Sequence, residues 1–187
     1  CAMDGTVNVA GVNIVSTYSA AITQSAGIGI TVGTSDWIQA AGTFNGGNSA
    51  IDCNDAITLS GGTFNATSGT MNVAGNFTVS GTGAFEPGTG TVTFDGSDQT
   101  INAATSETFN HLTANTSTWL RIADGDTVVV NGTLTLTNGG VIAATSAGIS
   151  TLNAKGAISV AATFDGGVSG YDCTLLIDGA GDQSFAI

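Results

Sequence analysis

The sequence predicts an all-β fold, and within that class a parallel β-solenoid of the right-handed type. Apolar residues alternate with Thr or Asn along many short segments, and glycines separate these segments at close intervals. Such alternation places apolar side chains on one face of a strand and polar side chains on the other. A stretch of eleven residues also recurs 120 positions later in the chain. Long-range repetition of this kind indicates stacked units that bury their apolar faces against one another.

The first part of the chain, residues 1–40, carries the least regular pattern. Residues 6–9 alternate as expected for a strand, whereas residues 16–26 form the one segment with a weak helical pattern. We therefore expect a single domain over residues 1–187. Its N-terminal portion, 1–40, is expected to be less regular than the rest and to contain that helix.

The remainder of the chain has the pattern of short strands. Alternating segments occupy residues 70–73, 76–79, 91–94 and 133–137. The dipeptides Asp95-Gly96 and Asn131-Gly132 are strong turn signals. Strands this short and this closely spaced leave no room for the helices of βαβ units, so the sheet must be built from strands and turns alone.

The recurring stretch spans residues 43–53 and 163–173, where seven of eleven positions are identical. If one coil takes about 20–25 residues, the two copies lie five or six coils apart, at equivalent places of the repeat. An antiparallel β-sandwich built from hairpins is the alternative architecture. The recurrence of strand motifs, the sparse charge and the small inward residues favour the solenoid.

Three segments carry a family resemblance, and they occupy residues 90–101, 108–113 and 130–137. They resemble the Thr/Gly-rich repeats of large bacterial surface β-solenoid proteins, both the filamentous-haemagglutinin-like kind and the autotransporter-passenger kind. The resemblance covers most of residues 40–187. It implies a solenoid architecture and a location outside the cell or on its surface.

The charge balance excludes several classes of partner. Two basic residues face fourteen acidic ones, which gives a formal net charge of −12. Phosphate backbones are bound mainly by Lys and Arg, so we expect no nucleic-acid partner. The chain has no run of about 20 apolar residues, so we expect no membrane insertion. Cations are the natural counterparts of such a surface.

Residues that could perform chemistry are few. Asp124 and Asp126 flank Gly125 in an oxygen-rich turn, and they are the best calcium ligands that the sequence offers, although Asp is also a common turn-former. The single histidine, His111, and the single arginine, Arg121, have no recognisable catalytic partners nearby. We therefore expect no catalytic residues, no enzyme activity and no cofactor other than Ca²⁺ at that turn.

The cysteines, Cys1, Cys53 and Cys173, form no CxxC pair and no cluster with histidine. Cys53 and Cys173 hold equivalent places in the eleven-residue repeat, which puts them about 25 Å apart and outside disulfide reach. An odd number of cysteines suggests an inter-subunit bridge or a free thiol. All three are therefore candidates for a disulfide, in which Cys1 pairs with Cys53 or with Cys173 of a neighbouring subunit, and buried free thiols are the alternative.

Together these features predict an extracellular or cell-surface structural protein. We expect its copies to stack head to tail into a filament or surface layer, because the chain stops within a strand pattern that a neighbouring copy or further sequence would continue. The first alternative is a stalk module of a giant adhesin. The second is a glycan-binding β-helix, with glycans as partners.

Overall fold

A computed structural model describes residues 1–144, 148–165, 171–180 and 185–186. Within these ranges the chain forms twenty β-strands and no helix, so no described helix could cross a membrane. The strands are β1 (Ala2–Met3), β2 (Val7–Val9), β3 (Val12–Ile14), β4 (Ala21–Gln24), β5 (Ile30–Val32), β6 (Trp37–Asn45), β7 (Ile51–Cys53), β8 (Ile57–Asn65), β9 (Thr70–Val73), β10 (Phe77–Glu86), β11 (Thr91–Phe94), β12 (Asp98–Asn102), β13 (Ser106–Phe109), β14 (His111–Ile122), β15 (Thr127–Val130), β16 (Leu134–Ala143), β17 (Ser150–Ala154), β18 (Ile158–Val160), β19 (Cys173–Ile177) and β20 (Phe185–Ala186).

The strands stack into three parallel ladders that run along one axis. Ladder A contains β1, β4, the second halves of β6, β8 and β10, and then β13, β15, β17 and β19. Ladder B contains β2, β5, β7, β9, β11, the first halves of β14 and β16, β18 and β20. Ladder C contains β3, the first halves of β6, β8 and β10, β12, and the second halves of β14 and β16.

The predicted β-solenoid is therefore confirmed. Every strand pairing among the described residues is parallel, and the chain winds through about eight coils. The antiparallel sandwich would require hairpin pairings, which the described residues do not contain. Residues that pair along ladder B lie one coil apart: Ile51 pairs with Met71 after 20 residues, and Leu134 pairs with Ile158 after 24.

The core lies between the three ladders, because each strand turns alternate side chains inward. The two inward positions of β7, Ile51 and Cys53, are almost fully buried, while Asp52 between them is only partly buried. Aromatic rings fill the interior of the early coils. The ring centroid of Phe44 lies 4.7 Å from that of Trp37 and 4.8 Å from that of Phe64. Trp37, at 0% exposed, is therefore a core residue.

Buried glutamines stabilise the corners between ladders. The side chain of Gln24 donates to the carbonyl of Ile28 at 2.6 Å and accepts from the N–H of Gly47 at 2.8 Å. Gln99 likewise donates to the carbonyls of Val73 and Gly75, both at 2.7 Å. Buried backbone N–H and C=O groups need hydrogen-bond partners, and each of these glutamine side chains provides more than one.

The predicted helix over 16–26 is wrong. Residues 21–24 form β4, which pairs with β1 on one side and with β6 on the other. Backbone pairing with both neighbouring coils overrides a weak local helical preference. The five strands that begin within residues 1–36 are two to four residues long, shorter than most later ones.

The two copies of the eleven-residue repeat do not occupy equivalent places. Residues 43–45 end β6 in ladder A, and Cys53 ends β7 in ladder B. In the second copy, Phe164 makes only an isolated bridge to Gly139, and Cys173 begins β19 in ladder A. The expected equivalence of Cys53 and Cys173 is therefore wrong, because the coils lengthen toward the C-terminus and shift the second copy around the axis.

Candidate functional site

The most distinctive site in the described structure is a cleft where ladder A is interrupted. The second half of β10 and the strand above it, β13, lie next to each other but form no ladder pairing. Between the same two coils ladder B continues through four residue pairs, from β9 to β11, and ladder C continues through two pairs, from β10 to β12. One side of the solenoid is therefore open while the other two sides remain closed.

The interruption leaves backbone groups that point into the cleft. The carbonyl of Glu86 accepts from Ala66 on the coil below, at 2.8 Å. Neighbouring residues of a strand point their backbone groups in opposite directions, so those of Phe85 face the cleft. On β13 the carbonyls of Thr105 and Phe109 accept from the coil above. By the same alternation, the backbone groups of Ser106 and Thr108 face the cleft from the other side.

Local irregularities at two corners accompany the break. The pairing of β10 with β8 shifts register between Val79 and Thr82, so an extra residue bulges from β10 just before its ladder A segment. Ala104, at the corner that leads into β13, has a φ of 61°, a conformation that residues other than glycine adopt infrequently. The bulge and the corner thus lie on either side of the break.

Glu107 is the acidic residue that lines this cleft. It occupies an inward position of β13, and its residue is only 9% exposed. Its pairing partner on the next coil is Val128, and Leu152 and Leu175 follow in the same row. A carboxyl group therefore stands at the head of a row that apolar side chains otherwise fill.

The Glu107 carboxyl group satisfies one edge donor of the broken ladder. Its Oε1 accepts from the backbone N–H of Thr108 at 2.9 Å, and that N–H faces the cleft where a strand partner would be. Among the described residues its Oε2 has no hydrogen-bond partner. Burial raises the pKa of Glu107 to about 7; the Thr108 N–H opposes this rise, and the negative charge of Glu86 adds to it.

The cleft has a volume of about 260 Å³ and combines apolar walls with this single buried acid. Val79, Ala84, Phe85 and Ala103 provide the apolar surface, while Gly81 and Ser106 line other parts of the cleft. Phe85 is 5% exposed and Val79 is 7% exposed. Such a site can accept a small group with an apolar body and a positively charged or hydrogen-bond-donating end.

The alternation of residues 106–109 contains a sequence signal for the inward position of Glu107. In Ser106-Glu107-Thr108-Phe109 the acid alternates with Phe109, which is fully buried. A glutamate two residues before a core phenylalanine lies on the inward face of the same strand. Strand alternation, and not the clustering of carboxylates, was the informative signal.

The predicted calcium ligands lie in the turn before β15. Asp126 is 6% exposed, and its Oδ2 accepts from the backbone N–H of Ala103 at 2.7 Å, which holds the corner beside the cleft. This contact is the structural role of an aspartate in a turn. No group of three or more His, Cys, Asp or Glu side chains in the described part of the chain is placed to hold a metal. Calcium binding by Asp124 and Asp126 stays a prediction.

The three cysteines form no disulfide and differ in accessibility. Cys1 is exposed and Cys173 is partly buried. Cys53 is 1% exposed, and burial, aided by the charge of Asp52, raises the pKa of its thiol to about 12. Cys53 is thus shielded from any second chain in this fold, whereas an inter-subunit bridge through Cys1 or Cys173 stays a prediction.

His111 and Arg121 have structural partners. The Nδ1 atom of His111, the first residue of β14, accepts from the backbone N–H of Thr133 on the next coil at 2.8 Å. Arg121 forms an ion pair with Asp98 at 2.6 Å, and its guanidinium lies 5.8 Å from the ring centroid of Tyr171. The two side chains therefore hold neighbouring coils together.

Comparisons of this chain with protein-family models, with curated proteins and with solved structures gave no match.

Proposed function

We propose that this chain is an extracellular structural protein, a rod-like subunit of a filament or surface layer whose copies associate end to end. The observation that carries the proposal is the arrangement of the three parallel ladders. Their backbone hydrogen bonds run along the axis, so most coils are tied to the next on three sides and the coils at the interruption of ladder A on two. A solenoid of this kind transmits force along its axis and can be extended by adding further coils.

The sides of the rod support the same proposal. The middle outward positions of ladder B are polar in successive coils, and they are Asn8, Thr31, Asp52, Asn72, Thr93, Thr113, Thr135 and Ser159. Hydroxyl and amide side chains stay hydrated, and a net charge of −12 makes neighbouring rods repel. Such sides disfavour lateral aggregation and leave the ends as the places for association.

The first coil offers backbone groups for such an end contact. The N–H of Val7 donates to Gly29 of the second coil at 3.1 Å, so by strand alternation the backbone groups of Asn8 point away from the second coil. An unpaired strand edge is a template for pairing with another chain. In the proposed filament these groups pair with the last coil of the preceding copy.

The test is electron microscopy of the purified 187-residue chain over a range of concentrations, without reducing agent. The expected result is filaments one solenoid wide. Asn8→Pro removes the outward N–H of ladder B and should reduce filament length, whereas the matched control Asn8→Ala keeps that N–H and should assemble normally.

Discrete monomers at high concentration, from a chain that circular dichroism shows to be folded, would overturn the proposal of end-to-end assembly. They would instead favour the stalk of a larger adhesin, where the same rod carries a binding module. Filaments that form equally well from Asn8→Pro would show that the ends associate by a different contact.

A further inference from the structure

We propose that the cleft at the interruption of ladder A binds a primary alkylammonium group, the chemistry shared by a lysine side chain and a small free amine. The cleft is open on one side of the solenoid, and its 260 Å³ volume suits a chain of a few methylene groups. This proposal does not depend on whether the rods assemble.

The apolar walls fit the stem of such a ligand. Val79 and Phe85 present nearly buried surface, and Ala84 and Ala103 add small apolar side chains that leave space between the strands. A butyl stem that enters this space exchanges water for apolar contact, and each buried methylene group contributes about 0.8 kcal/mol.

The acid in the cleft fits the ammonium head. Glu107 is nine-tenths buried, it lines the cleft, and its Oε2 has no hydrogen-bond partner in the described structure. The backbone carbonyl of Phe85, which the broken ladder leaves facing the cleft, is a second acceptor. An ammonium group carries three donors and would satisfy both acceptors while neutralising the buried charge.

The chain itself supplies no cation to this cleft. Arg121 is paired with Asp98 on ladder C, and Lys155 lies exposed at the corner after β17. Neither basic residue lines the cleft. The neutralising group must therefore come from outside, as an amine in solution or as a lysine of another protein.

A divalent metal ion fits this cleft less well. Calcium takes six to eight oxygen ligands, and magnesium needs near-octahedral oxygen coordination. Glu107 provides the one buried carboxyl group that lines the cleft, and the rest of the lining combines apolar side chains with glycines and two serines. An organic cation matches both the charge and the walls, whereas a metal ion would match the charge alone.

The experiment is a titration of the ¹³C,¹⁵N-labelled chain with n-butylammonium chloride at pH 8, followed by NMR chemical shifts of the residues around Glu107. We expect saturable shifts confined to the cleft. A parallel titration with n-butanol tests the need for charge, and one with CaCl₂ tests the metal alternative. Titration with Nα-acetyl-lysine methylamide separates the two sources, because it binds only if the cleft admits a lysine side chain on a peptide backbone.

Two variants test the residues. Glu107→Gln keeps the size and the hydrogen bond to Thr108 but removes the charge, and it should weaken n-butylammonium binding by about tenfold or more. Ser106→Phe fills the mouth of the cleft from an exposed position and should abolish binding even if Glu107→Gln folds poorly. Asp124→Asn removes an acid outside the cleft and is the control that should bind as the wild type does.

Equal affinity of Glu107→Gln and wild type, or equal affinity for n-butanol and n-butylammonium, would overturn the proposal. So would saturable Ca²⁺ binding that shifts the same resonances and displaces the amine, because the cleft would then be a metal site. Binding of the free amine without the lysine derivative would support the proposal and assign the site to small amines.

Discussion

At the scale of single residues, Glu107 shows how a core row can contain an acid. Its side chain points toward the same interior as Phe109, yet its Oε1 accepts the Thr108 N–H that the broken ladder leaves without a strand partner. An unsatisfied buried N–H costs free energy, and so does a buried carboxylate without partners. The hydrogen bond between the Glu107 carboxyl group and the Thr108 N–H reduces the free-energy cost of burying either group alone. The fold therefore tolerates the buried acid and the break in ladder A together.

Glu107 should make stability depend on pH in an unusual direction. Its pKa is raised from 4.5 to about 7 by burial, so between these values the folded chain holds a proton that the unfolded chain has released. The contribution of Glu107 is fully present below about pH 4.5 and is lost as the pH rises through about 7. Urea unfolding of wild type at pH 5 and pH 8 should show this loss, and Glu107→Gln should show a smaller one.

The matched control for this measurement is Glu86→Gln, which removes a nearby exposed charge and leaves the buried acid in place. It should keep most of the pH dependence of wild type. A Glu107→Gln variant that loses as much stability between pH 5 and pH 8 as wild type does would contradict the assignment of the effect to Glu107.

The cysteines should differ in reactivity as they differ in burial. Cys53 is 1% exposed and its thiol has a pKa raised to about 12, so almost no thiolate is present near neutral pH. In the native chain at pH 8, a thiol reagent should modify Cys1 quickly and Cys53 only at the rate of unfolding. Mass spectrometry of the modified peptides measures both rates, and rapid native labelling of Cys53 would show that this core position is wrong.

Which residues matter was harder to predict than which residues form strands. Asp124 and Asp126 were predicted as calcium ligands because the two acids lie close together in the sequence, whereas Glu107 has no acidic neighbour within several residues. Asp126 proved to be a buried turn residue that bonds to Ala103. The role of Glu107 depends on a break between two strands about twenty residues apart, and no local pattern reports that a ladder pairing is missing.

At the scale of strands and corners, the tight turns between ladders depend on particular glycines. Gly62 has a φ of +75°, and a Cβ atom there would meet the carbonyl oxygen of Gly42 and the backbone of Ala41 on the coil below. Gly125 has a similar φ of +83°, but a Cβ atom there would meet open space. An alanine at Gly125 would therefore meet backbone strain alone, whereas an alanine at Gly62 would meet both backbone strain and a steric clash.

Gly125→Ala should cost about 1 kcal/mol of unfolding free energy, since only the left-handed conformation opposes the side chain. Gly62→Ala should cost about 3 kcal/mol or more, because the coil below must also move. Equilibrium denaturation of the two variants beside wild type measures the difference. Equal losses would mean that adjacent coils can separate at this corner without cost.

A short repeat in the sequence indicates the length of one coil, although our prediction relied on the longer repeat between residues 43–53 and 163–173. Gly-Thr-Phe-Asn occurs at residues 42–45 and again at 62–65, and the Thr-Phe-Asn parts of the two copies pair residue for residue along ladder A. The spacing between the two copies equals the length of one coil, which is 20 residues here. The longer match between residues 43–53 and 163–173 compares segments at different places around the axis, so strong sequence identity was the poorer guide to register.

At the scale of the whole molecule, charge should control assembly. The net charge of −12 and the isoelectric point near 4.1 mean that copies repel one another at neutral pH. Added salt shortens the range of this repulsion, to about 8 Å at 0.15 M. If copies associate end to end, the rate of assembly measured by light scattering should rise with NaCl concentration at pH 7. A rate that falls with salt would point to attractive charge pairs at the contact.

The interruption of ladder A also makes this rod mechanically uneven. Along most of its length three rows of hydrogen bonds lie parallel to the axis. Between the coils of β10 and β13 only ladders B and C continue, and ladder C does so through two residue pairs. Tension along the axis is shared there by two rows, and bending that opens the ladder A side meets no backbone bond. The rod should therefore flex as a hinge at this level and, under increasing force, separate there first.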